Sequence, residues 1–357
     1  MICKFAANKK YILATILSFM IMYAFHSRRN SLNLEKSVND QYSDYGNYTG
    51  NICQPDYVRK NGGPTCRPRC PKGHFFLNGM TECHPWLDCS DIRIDVKFGP
   101  KIGSGNIKKV YKARWKTMAL VANRGNPTFL KSYFNRGLKN LIEMQPSPHV
   151  TQYIGHCRNY LLTEFHPLGN LGNLDQILSD TLPHLNTLYT RFRICVDYAT
   201  ILSFLADPEK MSGGVRIMCD TSSLSKLLRQ YLLTNSLRVI LNDVESLPLI
   251  DYAKGEKNTK CGKKPKVGLF SAPEQRWPEG GVNHSHSSQL LYDEKVDIWK
   301  LPDVCNYILG NSSGSRLFKR YLRDKVHLQC KNDDPKLRPS AIQVLRIYKN
   351  IYNEFAS

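Results

Sequence analysis

The stretch Lys101–Tyr111, "KIGSGNIKKVY", has residue types suited to handling phosphate. Gly103 and Gly105 lack side chains, so the backbone around them can approach an anionic ligand closely. Lys108 stands where a phosphate-cradling loop usually keeps a third glycine, and it brings a positive charge instead. A Gly-x-Gly alone is weak, because turns use glycine for other reasons. A second chemistry is that of thiols. The chain has twelve cysteines, and Cys66, Cys70, Cys83 and Cys89 lie close together. Zinc sites favour tight CxxC pairs, and these spacings are loose. Disulfides formed in an oxidising compartment are the better reading.

Several elements must position the glycine stretch. Phe98 to Trp115 reads as two strands joined by the glycine-containing turn, and Thr117 to Ala122 as a third. Side chains alternate along a strand, so Lys108 and Lys109 should face opposite sides. Pro127 suits a helix start, with apolar residues at helical spacing from Phe129 to Met144. Tyr160–Phe165, "YLLTEF", reads as another strand, and Thr187–Ala206 as a long buried helix. Strands and one helix first, then mostly helix, predict an α+β fold: a small β-rich lobe ahead of a larger helical one.

The 357 residues carry a net charge of +20. That balance suits anionic partners. No long Lys/Arg block and no zinc-finger pattern is present, so nucleic acid is not expected as a partner. Residues 11–25 carry no charge and are flanked by Lys9, Lys10, Arg28 and Arg29. They fall short of the roughly 20 residues of a typical span, a length shared with signal peptides. No small-residue cleavage site follows. The reading is an uncleaved signal anchor with residues 1–10 cytoplasmic, and a type II protein of the endoplasmic reticulum or Golgi. Sequons at Asn47, Asn283 and Asn311 fit a lumenal body. Residues 26–65 are polar and read as a stem, and residues 66–90 as a separate cysteine-rich segment.

Over residues 91–352, "LLTEFHPLGNL", "VRIMCD", "LNDVE", "SAPEQRWP", "DEKVDIWKLPD" and "DPKLRPSA" follow in order. Together they resemble a eukaryotic protein kinase domain, which implies a bilobal kinase-like fold. The most specific trio is Ala272–Glu274, Asp297–Trp299 and Arg338; in that family the glutamate pairs with the late arginine. Longer stretches, among them "CPKGHF", "HPWLDC", "QYLLT" and "LNDVESLPL", resemble an atypical lumenal branch that phosphorylates glycans. That resemblance implies ATP and Mg²⁺. It also implies an acceptor: the 6-hydroxyl of O-linked mannose in a GalNAc-GlcNAc-mannose trisaccharide on α-dystroglycan.

The resemblance assigns roles to individual residues. Asp220 stands at the aspartate of His-Arg-Asp and would accept the proton of the attacking hydroxyl. Met218 and Cys219 replace the His and Arg, so activation by loop phosphorylation is not expected. Asp243 stands at the Asp of Asp-Phe-Gly and would hold Mg²⁺. Glu245 replaces that glycine and is a candidate second metal ligand, because Ser225 replaces the usual catalytic-loop Asn. The third-strand lysine is missing, with Val121 in its place. Lys108 is its candidate replacement, a displacement shared with the "with no lysine" kinases. Glu164 and Phe165 fall at the adenine hinge. The helix glutamate that should pair with the lysine falls near Gly137, and nearby Glu143 is not placed on the right face, so this ion pair is unassigned. A Cys219–Cys261 disulfide could pin the activation segment to the catalytic loop. The alternative is a pseudokinase, an inactive fold that binds glycan or protein.

Overall fold

The computed structural model describes residues 70–356, apart from residues 127–130, Asp220, residues 260, 262–265, 267 and 277–290. Upstream it traces two strands, Ile52–Val58 and Pro64–Arg67. The expected anchor, the stem apart from these strand residues, Asn47 and Asn283 lie outside the described residues. Among the described residues, no helix is long and apolar enough to cross a membrane.

Helix α1, Cys89–Asp95, opens with a reciprocal cap. Asp88 Oδ1 accepts from the Ser90 and Asp91 amides, and Asp91 Oδ2 accepts from the Asp88 amide. An antiparallel sheet follows, made of β1 Val96–Ser104, β2 Lys108–Trp115, β3 Met118–Gly125, β4 Tyr153–Cys157 and β5 Tyr160–Glu164. Its spatial order is β1-β2-β3-β5-β4. Helix α2, Lys131–Glu143, connects β3 to β4. The strands expected from alternation are all present.

The period of two splits the sheet into two faces. Ala113, Trp115, Leu120, Ala122, Ile154 and Leu162 are buried in one core cluster with Ile92, Phe75, Leu77 and Leu87. The last three belong to the cysteine-rich segment, which is therefore not a free-standing knot. Cys70 pairs with Cys83 inside it, but Cys89 pairs with Cys157 on β4. The segment supplies the apolar cover for one sheet face. Each large side chain so buried contributes roughly 2–3 kcal/mol.

The second half is mainly helical. Helix α3, Leu188–Leu205, packs against α4, Lys295–Leu309, and against α6, Ala341–Ala356; α5, Ser313–Leu322, lies between these two in sequence. Helix α3 is buried on nearly every side, and Cys195 on it pairs with Cys305 on α4. Two small antiparallel pairs flank the catalytic-loop sequence: β6 Gly214–Arg216 with β9 Leu249–Asp251, and β7 Tyr231–Leu233 with β8 Val239–Leu241. This mixed α+β arrangement is consistent with a kinase-like fold.

Candidate active site

Lys108 opens β2, and strand alternation turns it and Lys109 to opposite faces. Lys108 has a side chain 15% exposed, while Lys109 is solvent-exposed. The Lys108 Nζ lies 2.6 Å from Glu245 Oε1 and 3.4 Å from Asp243 Oδ1. Gly103 precedes it on the neighbouring strand, and Gly105 in the turn between the two. Gly103 pairs with Val110, and the Gly105 amide donates to the Lys108 carbonyl at 2.9 Å. A side-chain carbon at Gly105 would meet nothing closer than 3.8 Å, so its smallness leaves that side open. Val121 sits in the middle of β3, opposite Lys112 and Thr163, and brings no charge.

Asp243 and Glu245 lie on a loop just after β8, fixed from two sides. The Asn242 amide donates to Gln230 O at 2.9 Å, and the Cys219 amide to Ser246 O at 3.1 Å. From helix α2, Arg136 Nε donates to Glu245 O at 2.9 Å, and Asn140 Nδ2 donates to Val244 O and Leu247 O at 2.8 and 3.0 Å. Arg216 on β6 holds Asn140 Oδ1 at 2.7 Å and Glu143 Oε2 at 2.6 Å. Glu143 is thereby committed to Arg216 rather than to Lys108. Gly137, where a helix glutamate was sought, packs against Glu245: a side-chain carbon there would lie 2.6 Å from Glu245 Cγ.

Electrostatics divide the two carboxylates. Burial alone would raise Asp243, but Lys108 overrides it and holds the group at about 2. Glu245 is more enclosed, its side chain 3% exposed, and burial together with the Asp243 charge pushes it up to about 8 against the pull of Lys108. Burial would lower Lys108, and the two carboxylates more than offset that, so it stays a cation.

Asp220 lies outside the described residues, but its frame is visible. The Met218 amide donates to Asp297 Oδ2 at 2.8 Å, and Thr221 Oγ1 donates to Met218 O at 2.8 Å. Fully buried Lys300 donates to Thr221 Oγ1 at 2.7 Å and to Asp297 Oδ1 at 3.2 Å. The catalytic loop is thus bound to α4 on both sides of Asp220. Cys219 pairs with Cys261, which ties this loop to the activation segment. At the far end of that segment, Arg338 Nη1 and Nη2 hold Glu274 Oε1 and Oε2 at 2.6 and 2.8 Å. Ser225 Oγ, at the place of the missing Asn, accepts from Arg229 Nη2 at 3.3 Å.

At the end of β5, Glu164 is buried, and its Oε1 accepts from the Gln152 amide at 2.7 Å. Any adenine contact there falls to the backbone. Lys112 Nζ lies 5.2 Å from the Phe165 ring centre. No role for Asn140, Arg216 or Lys300 was legible in the sequence, although Arg216 and Lys300 lie inside "VRIMCD" and "DEKVDIWKLPD", and Gly137 stood out only as the place of an absent glutamate. A glycine inside a helix was the only available signal.

Among the described residues, no group of three or more His, Cys, Asp or Glu side chains gathers as a metal cage. What is present is a pair of converging carboxylates. Asp243 is 37% exposed at its side chain, and Glu245 Oε2 is buried with no hydrogen-bond partner. Hard oxygen donors few in number suit Mg²⁺, which keeps waters and takes substrate phosphates as further ligands. A cation beside two carboxylates is what phosphoryl transfer requires of a protein: charge neutralisation and positioning.

No family model matches the chain. Curated relatives do. Protein O-mannose kinase of Homo sapiens is 37% identical over 286 residues, covering 79% of this chain and 80% of the relative. The Macaca fascicularis protein shows the same values. Protein O-mannose kinase of Gallus gallus is 40% identical over 286 residues, covering 79% of each chain. The match carries the expected kinase activity, so this chain is a phosphotransferase, and it belongs to the protein O-mannose kinase family.

Proposed function

We propose that the chain transfers the γ-phosphoryl group of ATP to the 6-hydroxyl of O-linked mannose, within a GalNAc-GlcNAc-mannose trisaccharide on α-dystroglycan. The observation that carries this reading is the convergence of Lys108 with Asp243 and Glu245, 2.6–3.4 Å apart. Lys108 contacts the phosphates, and its charge sits where negative charge gathers during transfer. Gly103 and Gly105 keep the covering loop close to the nucleotide. The Glu164–Phe165 backbone receives the adenine. Asp243, with Glu245 Oε2, would hold Mg²⁺, which when bound neutralises phosphate charge. Asp220 orients the sugar hydroxyl and accepts its proton. The flanking hydrogen bonds of Met218 and Thr221 set the loop that carries it.

The place of action is the lumen of the endoplasmic reticulum, or the Golgi, with residues 11–25 as the membrane anchor. Four disulfides among the described residues support an oxidising compartment.

The test uses the full chain, labelled ATP, Mg²⁺ and the trisaccharide. Label should reach the sugar. Lys108→Ala should lower kcat roughly 10²–10³-fold, and Asp220→Asn about 10²–10⁴-fold. Lys109→Ala should stay within about twofold of the parent, in line with the small effects of exposed substitutions. Label on polypeptide, or transfer that survives Asp220→Asn, refutes the assignment. No nucleotide binding at all favours the pseudokinase.

A further inference from the structure

Helix α2 presents no carboxylate to Lys108. In the kinases that this chain resembles, that helix supplies the lysine's partner glutamate. Here the corresponding place is Gly137, and Glu245 fills the space. A side-chain carbon on Gly137 would lie 2.6 Å from Glu245 Cγ, 3.1 Å from its carboxyl carbon and 3.3 Å from its Cα. The first distance is shorter than any stable contact, and the last involves backbone. Even alanine would therefore displace the Glu245 side chain and press on its backbone. Glycine is disfavoured inside a helix relative to alanine. Its presence in the middle of α2 is explained by the close approach of Glu245.

The same helix face also grips the loop. Arg136 and Asn140 are one turn apart and lie on either side of Gly137. Their three hydrogen bonds, at 2.8–3.0 Å, reach Glu245 O, Val244 O and Leu247 O. Asn140 is fixed in orientation because its own oxygen accepts from Arg216 at 2.7 Å. Helix α2 therefore contributes a gap and two clamps, and the metal loop contributes the carboxylate.

We propose that Gly137 is a positioning residue: it admits Glu245 as the partner of Lys108, so that the lysine's ion pair is set by the metal loop while helix α2 acts as a fixed bracket. The lysine pair then forms without any inward swing of the helix. This inference rests on the reading of Lys108 as the phosphate contact.

The experiment moves the glutamate back to the helix. A glutamate at 137 would start 3.1 Å from the carboxyl carbon it replaces, within reach of the same position near Lys108. Gly137→Ala, Gly137→Glu, Glu245→Gly and the double variant Gly137→Glu/Glu245→Gly are compared in the full chain. The readouts are Mg²⁺-ADP affinity, and the KM for ATP against the KM for the acceptor. Gly137→Ala should weaken Mg²⁺-ADP binding about tenfold and raise the KM for ATP, as expected for a displaced phosphate-contacting charge, with the acceptor KM unchanged. Gly137→Glu and Glu245→Gly should each lose more, and the double variant should recover about tenfold over either single change. Equal affinity of Gly137→Ala and the parent overturns the proposal. So does a folded double variant no better than the singles, and this comparison decides the matter if Gly137→Ala does not fold. Lys108→Ala separates the two levels. If it leaves Mg²⁺-ADP binding intact, the reading of Lys108 itself fails. If it abolishes binding while Gly137→Ala does not weaken it, only the present inference fails.

Discussion

Replacing Arg338 with methionine tests how the end of the activation segment is anchored. All five N–H groups of Arg338 have described acceptors. Two bonds go to Glu274 at 2.6 and 2.8 Å, and the others go to Asn332 O at 2.7 Å, Lys295 O at 3.1 Å and Asp333 O at 3.3 Å. The Arg338 side chain is 0% exposed and that of Glu274 is 9% exposed. Methionine keeps the stem but leaves the Glu274 charge and three carbonyls without this donor. Removing one partner of a buried pair costs about 3–5 kcal/mol. At roughly 2–4 °C per kcal/mol for bodies near this size, Tm should fall by about 10 °C. Glu274→Gln/Arg338→Met should be less damaged than the sum of the single changes, by about 2 kcal/mol, because the double variant holds no stranded charge. Thermal unfolding of the three variants, with acceptor KM alongside, measures this. A loss under about 1 kcal/mol for Arg338→Met, or strict additivity in the cycle, would refute the reasoning, since a pair so enclosed cannot behave like an exposed one.

Two further outcomes are expected. Cys219→Ser and Cys261→Ser should each remove the same disulfide, whose cysteines are 42 residues apart; each should lower stability by up to about 4 kcal/mol and reduce activity, with one new alkylatable thiol per variant. Wild-type activity and no new thiol would contradict this. His327 is buried against the Tyr348 hydroxyl at 2.6 Å, and burial, aided by the Lys331 charge, lowers its pKa to about 4. The folded value lies below the unfolded one, near 6.5, so the unfolded chain gains the proton first as pH falls. Nothing is lost above pH 6.5, and about 2 kcal/mol is lost by pH 5. Denaturant unfolding at pH 7 and pH 5 should show this slope, and His327→Gln should flatten it by that amount; an unchanged slope counts against it.

Much of this architecture was legible in the residues. Alternation in "KKVY" alone turns Lys108 and Lys109 to opposite faces, and Glu274 and Arg338 sit inside motifs whose spacing is distinctive. Cys219 and Cys261 could be paired because Cys219 adjoins the proposed base and Cys261 lies in the segment between Asp243 and Ala272. Cys195 and Cys305 could not, because a cysteine inside an apolar helix reads as a small core residue. Cys89 was grouped with its sequence neighbours, whereas its partner is 68 residues away on β4. Glu143 and Gly137 mark the same limit. Helical spacing says which face a residue occupies but not what chain segment lies opposite; here Glu143 meets Arg216, 73 residues later, and Gly137 meets Glu245, further still along the chain.

The cover on the sheet bears on where the folding unit begins. A chain shortened to start at Asp91 would retain every kinase-like motif. It would nevertheless lose Phe75, Leu77 and Leu87, three side chains at most 5% exposed, and would leave Cys157 without its partner. The sheet would then show water an apolar face centred on Trp115, Leu120 and Ile154, a surface prone to self-association. The motif-bearing part of the sequence is thus smaller than the part that can stay soluble, and an expressible body should start upstream of Cys70.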